Sequence, residues 1–362
     1  MSFYEILIWI MAAFAVLGAL DRIFGNRFGL GKQFEEGILA MGALALAMIG
    51  IIALAPVLAK LLQPVVGPVY RALGADPAMF AGTILANDMG GGPLAYELTN
   101  DPRAAALGGV ITGSMLGATV VFIIPVAMGI LKEEDRPALA KGVLAGVVTI
   151  PVGVLAGGLT AGFPMVMILR NLIPIALMAA LIALGLWKAE KAMIKGFAWF
   201  GKGVIAVITI GLAAAIMEEL TGFTVIPGMA PVADGFHTVG GIAILLAGAF
   251  PLVFLLTKVL KKPLEKGGKL LGINEAAAAG LIASLANAIA TFSLIKDMDN
   301  RGKVLNIAFA VSAAFVFGDH LGFTAGFAPE YLPAVIVGKL VGGICAVVVA
   351  LLLTRQEQKR CA

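Results

Sequence analysis

Cysteine, histidine and charge are all scarce in this sequence. Cysteine and histidine each occur twice in 362 residues. Cys345 sits in an apolar run and Cys361 in the tail, so neither a disulfide framework nor a metal site is expected. Only 13% of residues are charged, against about a quarter in soluble domains. No charged connection is long enough to be a soluble domain of its own. No basic–aromatic pattern is present, so nucleic acid is not an expected partner. The net charge of +4 reads as loops that follow the positive-inside bias of membrane proteins. The opening stretch MSFYEILIWIMAAFAVLGALDR lacks a basic n-region, and is read as a retained helix rather than a cleavable signal.

What fills the sequence is apolar. Hydrophobic residues make up 60% and the mean hydropathy is +1.01. These values predict an all-α polytopic membrane protein, a single integral membrane domain over 1–362 with the lipid bilayer as its solvent. Eleven apolar segments are visible, at roughly 3–20, 37–62, 77–98, 104–131, 138–161, 164–187, 199–220, 237–260, 274–295, 303–327 and 331–354. Each is near the ~20 residues that a spanning helix needs.

The segments suggest an internal repeat. GIIALAPVLAKLLQPVVGPVYRALG (50–74) pairs with GAFPLVFLLTKVLKKPLEKGGKLLG (248–272), and LGADPAMFAG (73–82) with LGINEAAAAG (271–280). With small insertions Asn87 aligns with Asn287, Asn100 with Asn300 and Gly117 with Gly318. The implied plan is repeat one over 1–161, a connecting helix over 162–195, repeat two over 196–354 and a short tail over 355–362. If all eleven segments span, Lys and Arg divide 15 to 11 between the two faces, which says little. If the third and ninth are re-entrant hairpins, leaving nine spans, the division becomes 21 to 5. That contrast is what the positive-inside bias produces. It places the N-terminus outside and the C-terminus inside, and makes the two repeats inverted, a plan common in secondary transporters.

Two places put polar groups inside apolar sequence. FAGTILANDMGGGPLAYEL (80–98) holds Asn87 and Asp88 before Gly90, Gly91 and Gly92. Three glycines and Pro93 disfavour continuous helix, and open backbone at membrane depth is tolerated only inside protein or beside a water-filled cavity. AFVFGDHLGFTAGF (314–327) holds Asp319 and His320 between Gly318 and Gly322. An intramembrane ionisable residue marks a functional site by default; the alternative is an Asp–His pair that locks helix packing. Asn87 and Asn287 are candidates for hydrogen bonds at a shared site or for interhelical packing. Thr112, Ser114 and Thr119 either line a cavity or bond back to their own helix. Arg170 and Lys339 are expected near segment ends, with their charges at the interface.

Four stretches carry a specific resemblance: QFEEGILAMGALALAMIGIIALAPVL (33–58), GADPAMFAGTILANDMGG (74–91), GVLAGVVTIPVG (142–153) and AVSAAFVFGDHLGF (310–323). Together they resemble the EutH-type ethanolamine permeases, over nearly the whole chain and least over 162–240. The resemblance implies import of ethanolamine across the bacterial cytoplasmic membrane, without a cofactor. No family binding set is transferred, so site roles rest on the residues. Ethanolamine is a small ammonium with one hydroxyl. Asp88, Asp319 or both suit the ammonium, and Asn87, Asn287 or His320 suit the hydroxyl. Phe80, Phe292 or Phe317 could add a cation–π contact. Coupling to H+ or Na+ and uncoupled facilitation both stay open, and a homodimer is permitted without being demanded. Two rivals are a carrier for another small solute and an intramembrane aspartyl enzyme. For the latter, VFGD has Val316 where a GxGD motif needs glycine.

Overall fold

The computed structural model describes residues 3–361, apart from the side chains of 3–4, 257, 260–270 and 356–362. Lys261, Lys262, Lys266, Lys269, Lys359 and Arg360 of the charge asymmetry, and the thiol of Cys361, therefore lie outside the described residues. Every regular element among the described residues is helical. In chain order these are α1 (Phe3–Ile23), α2 (Leu30–Ala72), α3 (Met79–Ile84) and α4 (Gly92–Leu98). They are followed by α5 (Pro102–Ile130), α6 (Arg136–Val147), α7 (Ile150–Thr160), α8 (Met165–Thr221) and α9 (Val232–Leu271). The last are α10 (Glu275–Ala286), α11 (Ala288–Leu294), α12 (Asn300–Ala313), α13 (Asp319–Phe327) and α14 (Leu332–Cys361).

Among the described residues, seven helical stretches are long and apolar enough to cross a membrane. The protein is a multi-pass membrane protein. Seven differs from the eleven apolar segments for two reasons. The sixth and seventh segments follow one another without a loop as α8, so they count as one stretch, but its 57 residues are two helices that meet at a sharp break at Ala189 (φ −143°, ψ 46°), where Met193 comes back against Gly185. The third, ninth and tenth segments are each cut into two pieces. The longest piece is α12 at 14 residues, about 21 Å at 1.5 Å per residue, against a hydrocarbon core of ~30 Å.

The interruptions are satisfied by neighbouring backbone, as an apolar surrounding demands. Between α3 and α4, Leu85 and Ala86 are extended, and the Gly91 N–H then donates back to the Ala86 carbonyl at 2.8 Å. Between α12 and α13, the N–H groups of Phe315 and Phe317 donate to the carbonyls of Ser284 and Leu285 at 3.0 and 2.8 Å. The end of α10 thus supplies the acceptors for the second interruption.

Buried apolar side chains form two clusters. The larger surrounds α5, whose residues from Ala106 to Met115 include Leu107, Val110 and Ile111, all fully enclosed; α5 winds in wide π-type turns over most of its length. The smaller joins Met11 of α1, Leu44 and Met48 of α2, Ala215 of α8, Ile242 and Leu246 of α9, and Phe323 of α13. Helices α2 and α8 contribute to both clusters, and the first interrupted segment, α3 to α4, packs against α2.

Candidate functional site

Asp88 lies in the turn between α3 and α4. This turn depends on Gly90, whose φ of +101° is strained for any residue with a Cβ. A Cβ there would also lie 2.2 Å from Ile51 Cγ1 of α2. Asp319 and His320 open α13, immediately after the second interruption. The interruptions between α3 and α4 and between α12 and α13 face one cavity of about 190 Å³. Its lining includes Asp88, Asp319 and His320, the rings of Phe122 and Phe315, and the small face of α2 at Ala40, Ala43 and Ala47. The cavity is smaller than the ~300–1,000 Å³ of drug-sized sites, which restricts it to small solutes. Phe122 and Phe315 meet edge to face at 5.3 Å, and Phe315 leans on the His320 ring at 5.2 Å.

A line of polar groups leads away from the cavity. The Nε2 of His320 is 3.7 Å from Asp88 Oδ1, and its Nδ1 is 3.0 Å from Nζ of Lys339 on α14. Lys339 is 1% exposed and donates a second hydrogen bond to the Ser114 carbonyl of α5. A lysine ammonium has donors and no acceptor, so Nδ1 must offer it a lone pair. The proton of neutral His320 is then on Nε2, aimed at Asp88. With both acids ionised, the two carboxylates and one ammonium leave a net charge of −1. Asp88 Oδ1 has no hydrogen-bond partner among the described residues. Among the described residues, no group of three His, Cys, Asp or Glu could hold a metal ion.

A second, larger cavity of about 510 Å³ adjoins the first through Asp319. Gln33, Glu36, Lys258 and Asn287 also line it.

The family model described as "Ethanolamine utilisation protein, EutH" matches residues 3–353. The chain belongs to the EutH family. A protein of Listeria monocytogenes named "Probable ethanolamine permease EutH" is 62% identical over 360 residues, which cover 99% of this chain and 96% of that protein. A Salmonella typhimurium protein of the same name is 50% identical over 395 aligned residues, covering 99% and 97%. "Uncharacterized protein YxeR" of Bacillus subtilis is 51% identical over 364 residues, covering 99% and 98%. No solved structure matches the chain.

In this EutH chain, Asp88, Asp319 and His320 come together at one cavity. Asn87 is fully enclosed beside it, with both amide atoms unpartnered among the described residues. Asn287 is in the outer cavity, where its side-chain oxygen accepts the Ile289 N–H and caps α11. Gly91 and Gly92 close the first turn, and Gly318 precedes α13. Gly322 packs against Leu246 and Ile242 of α9, away from the lining. The hydroxyls of Thr112, Ser114 and Thr119 donate to carbonyls of their own helix, at Leu107, Ile111 and Met115. Phe80, Phe292 and Phe317 do not line the small cavity, where Phe122 and Phe315 take the aromatic positions. Lys339 corrects the expectation of an interfacial charge: its side chain is buried against Ser114 and His320. The signal was its place between YLPAVIVG and LVGGICAVVVALLL, apolar on both sides.

Proposed function

We infer that this chain is an ethanolamine permease that carries its substrate into the cell across the bacterial cytoplasmic membrane. The names of the relatives supply the substrate. The observation that carries the reading is a small cavity lined by two carboxylates, with the Asp88 Oδ1 oxygen buried and unpartnered among the described residues. A buried unpaired charge is costly, and a monocation that pairs with it lowers the cost for both. Ethanolammonium is such a cation. Asp88 and Asp319 hold its ammonium, Phe122 and Phe315 offer ring faces to it, and His320 Nε2–H or the Asn87 amide meets its hydroxyl. Asn287 acts further out, on the path through the 510 Å³ cavity.

Transport proceeds by alternating access between two inverted repeats. Two pairs of features favour the repeat. Asp76 and Asn274 each accept a backbone N–H at the start of a short helix, from Ala78 and Ala277. A Cβ at Gly117 would lie 1.8 Å from the Leu85 oxygen, and one at Gly318 2.1 Å from the Ala286 oxygen, each just before its repeat's asparagine. The N-terminus is outside and the C-terminus inside, so the outer cavity with Lys258 opens to the cytoplasm. The re-entrant tips at 85–91 and 287 act as gates.

The test is uptake of labelled ethanolamine by cells that lack their own permease and express Asp88→Asn or Asp319→Asn. Each change brings the site charge to zero, and uptake at low substrate should fall at least tenfold. Full uptake by both variants would defeat the assignment of the site. A reporter that finds the N-terminus cytoplasmic would defeat the topology.

A further inference from the structure

We propose that Lys339 is a tethered counter-cation, holding the position that a co-transported ion would otherwise fill, so that one ammonium substrate alone neutralises the loaded site. The inference rests on the permease reading and concerns what travels with the substrate.

Three observations carry it. Lys339 is enclosed in the protein core, and its ammonium reaches the substrate cavity through one imidazole, Lys339 Nζ to His320 Nδ1 at 3.0 Å and His320 Nε2 to Asp88 Oδ1 at 3.7 Å. Asp88, Asp319 and His320 line one cavity, so both carboxylates share the space that the imidazole separates from Lys339. Among the described residues no further charge lines the small cavity: α2 presents Ala40, Ala43, Leu44 and Ala47, the turn before α4 presents Ala86 and Met89, and α5 presents Phe122; Glu36 and Lys258, of opposite sign, line the larger cavity that meets it at Asp319. The charged side chains at the cavity are Asp88 and Asp319, with Lys339 one imidazole behind them; as an ammonium it donates to His320 Nδ1 and so keeps that ring neutral.

Consider the loaded, enclosed state. With Lys339 present, two carboxylates face the lysine and one ethanolammonium, and the site is neutral. Without Lys339 the same state carries −1, and burying an uncompensated charge is expensive enough to require a second cation. That cation would be Na+ or H+, entering with the substrate. Lysine thus fixes the stoichiometry at one cation per cycle, and it disfavours dications and zwitterions, neither of which leaves the site neutral. A lysine serving only to tie α14 to the Ser114 carbonyl would have no such effect.

The experiment measures ethanolamine binding to purified protein at constant ionic strength. Na+ is varied against a large organic cation, and proton uptake is read by calorimetry in buffers of different ionisation enthalpy. In the wild type, affinity should change less than twofold across a hundredfold range of Na+, and no proton should be taken up on binding. In Lys339→Gln, affinity should rise about tenfold for each tenfold rise in Na+, or one proton should be taken up per substrate. Adding Asp319→Asn to Lys339→Gln restores the charge of −1 and should remove that cation requirement. Wild-type protein that takes up Na+ or a proton with its substrate overturns the proposal, whether or not the variants fold. So does a folded Lys339→Gln that binds substrate with neither cation. A wild type that binds no ethanolamine under any of these conditions overturns the substrate reading, and this inference falls with it.

Discussion

The first interruption stands or falls with Gly90, and Gly90→Ala tests it. Two costs add. A residue with a Cβ at φ +101° sits in left-handed territory, at about 1–2 kcal/mol. The new Cβ would lie 2.2 Å from Ile51 Cγ1, and relieving such overpacking costs about 1–3 kcal/mol. The sum is about 2–5 kcal/mol against the kinked turn. At about 1.4 kcal/mol per tenfold, the population that holds Asp88 at the cavity falls roughly 30- to 3,000-fold relative to competing conformations, and apparent substrate affinity falls by the fraction lost. Thermal stability in detergent and ethanolamine affinity are the two readouts. Ile51→Ala in the same chain removes the clash but not the φ strain, so it should recover only part of the loss. Gly196→Ala is the control, because a Cβ there meets nothing within 4 Å and the φ is not left-handed. Unchanged stability and affinity in Gly90→Ala would refute the turn geometry, and full recovery by Ile51→Ala would refute the strain.

Asp135 and Lys303 form an ion pair between the start of α6 and α12, with side chains 3% and 14% exposed. Asp135→Asn should destabilise by about 3–5 kcal/mol, the cost of stranding a buried lysine, and replacing both residues by apolar ones should recover most of it in the same thermal assay. Asp101 caps α5 and is gripped by the Arg103 guanidinium, which holds its carboxyl below the ordinary value of 3.8. Asp101→Ala should cost about 0.5–2 kcal/mol at pH 7. The charge-dependent share is present above the ordinary carboxyl range and disappears as pH falls through the lower folded value, which a pH series of melting curves will show. Ala283 lines the outer cavity. Ala283→Cys, in a chain with Cys345 and Cys361 replaced by Ser, should react with an impermeant maleimide from the cytoplasmic face only, and ethanolamine should slow the reaction.

The helical membrane body was legible because composition and segment length leave no other reading. The first interruption was visible in NDMGGG, since three glycines inside an apolar run have no use in a straight helix. Asp319 and His320 stood out for the same reason, as polar residues at mid-segment. Lys339 did not. Its apolar flanks place it inside a segment, but whether its charge then reaches an interface or turns inward is decided by its partners on α5 and α13. Asn287 looked equivalent to Asn87, yet one caps a helix by accepting the Ile289 N–H and the other is enclosed without a partner. Alignment gives equal positions, and only the local backbone separates the roles. The aromatic wall was missed because Phe122 and Phe315 lie far apart in the chain and meet only through the wide turns of α5 and the second interruption. Phe315 takes a positive φ of 63° there, which no sequence pattern announces.

As a carrier of ethanolammonium on a site built around Asp88 and Asp319, this EutH-family chain should move its substrate unaided across a bilayer. The most direct test is uptake of labelled ethanolamine into liposomes that hold the purified protein, in competition with choline, amino acids and nucleosides. Uptake should be saturable, abolished by unlabelled ethanolamine, left intact by zwitterionic amino acids and nucleosides, and reduced at least tenfold by Asp88→Asn. Uptake no faster than in protein-free liposomes, or uptake blocked equally by amino acids and nucleosides, would contradict that role.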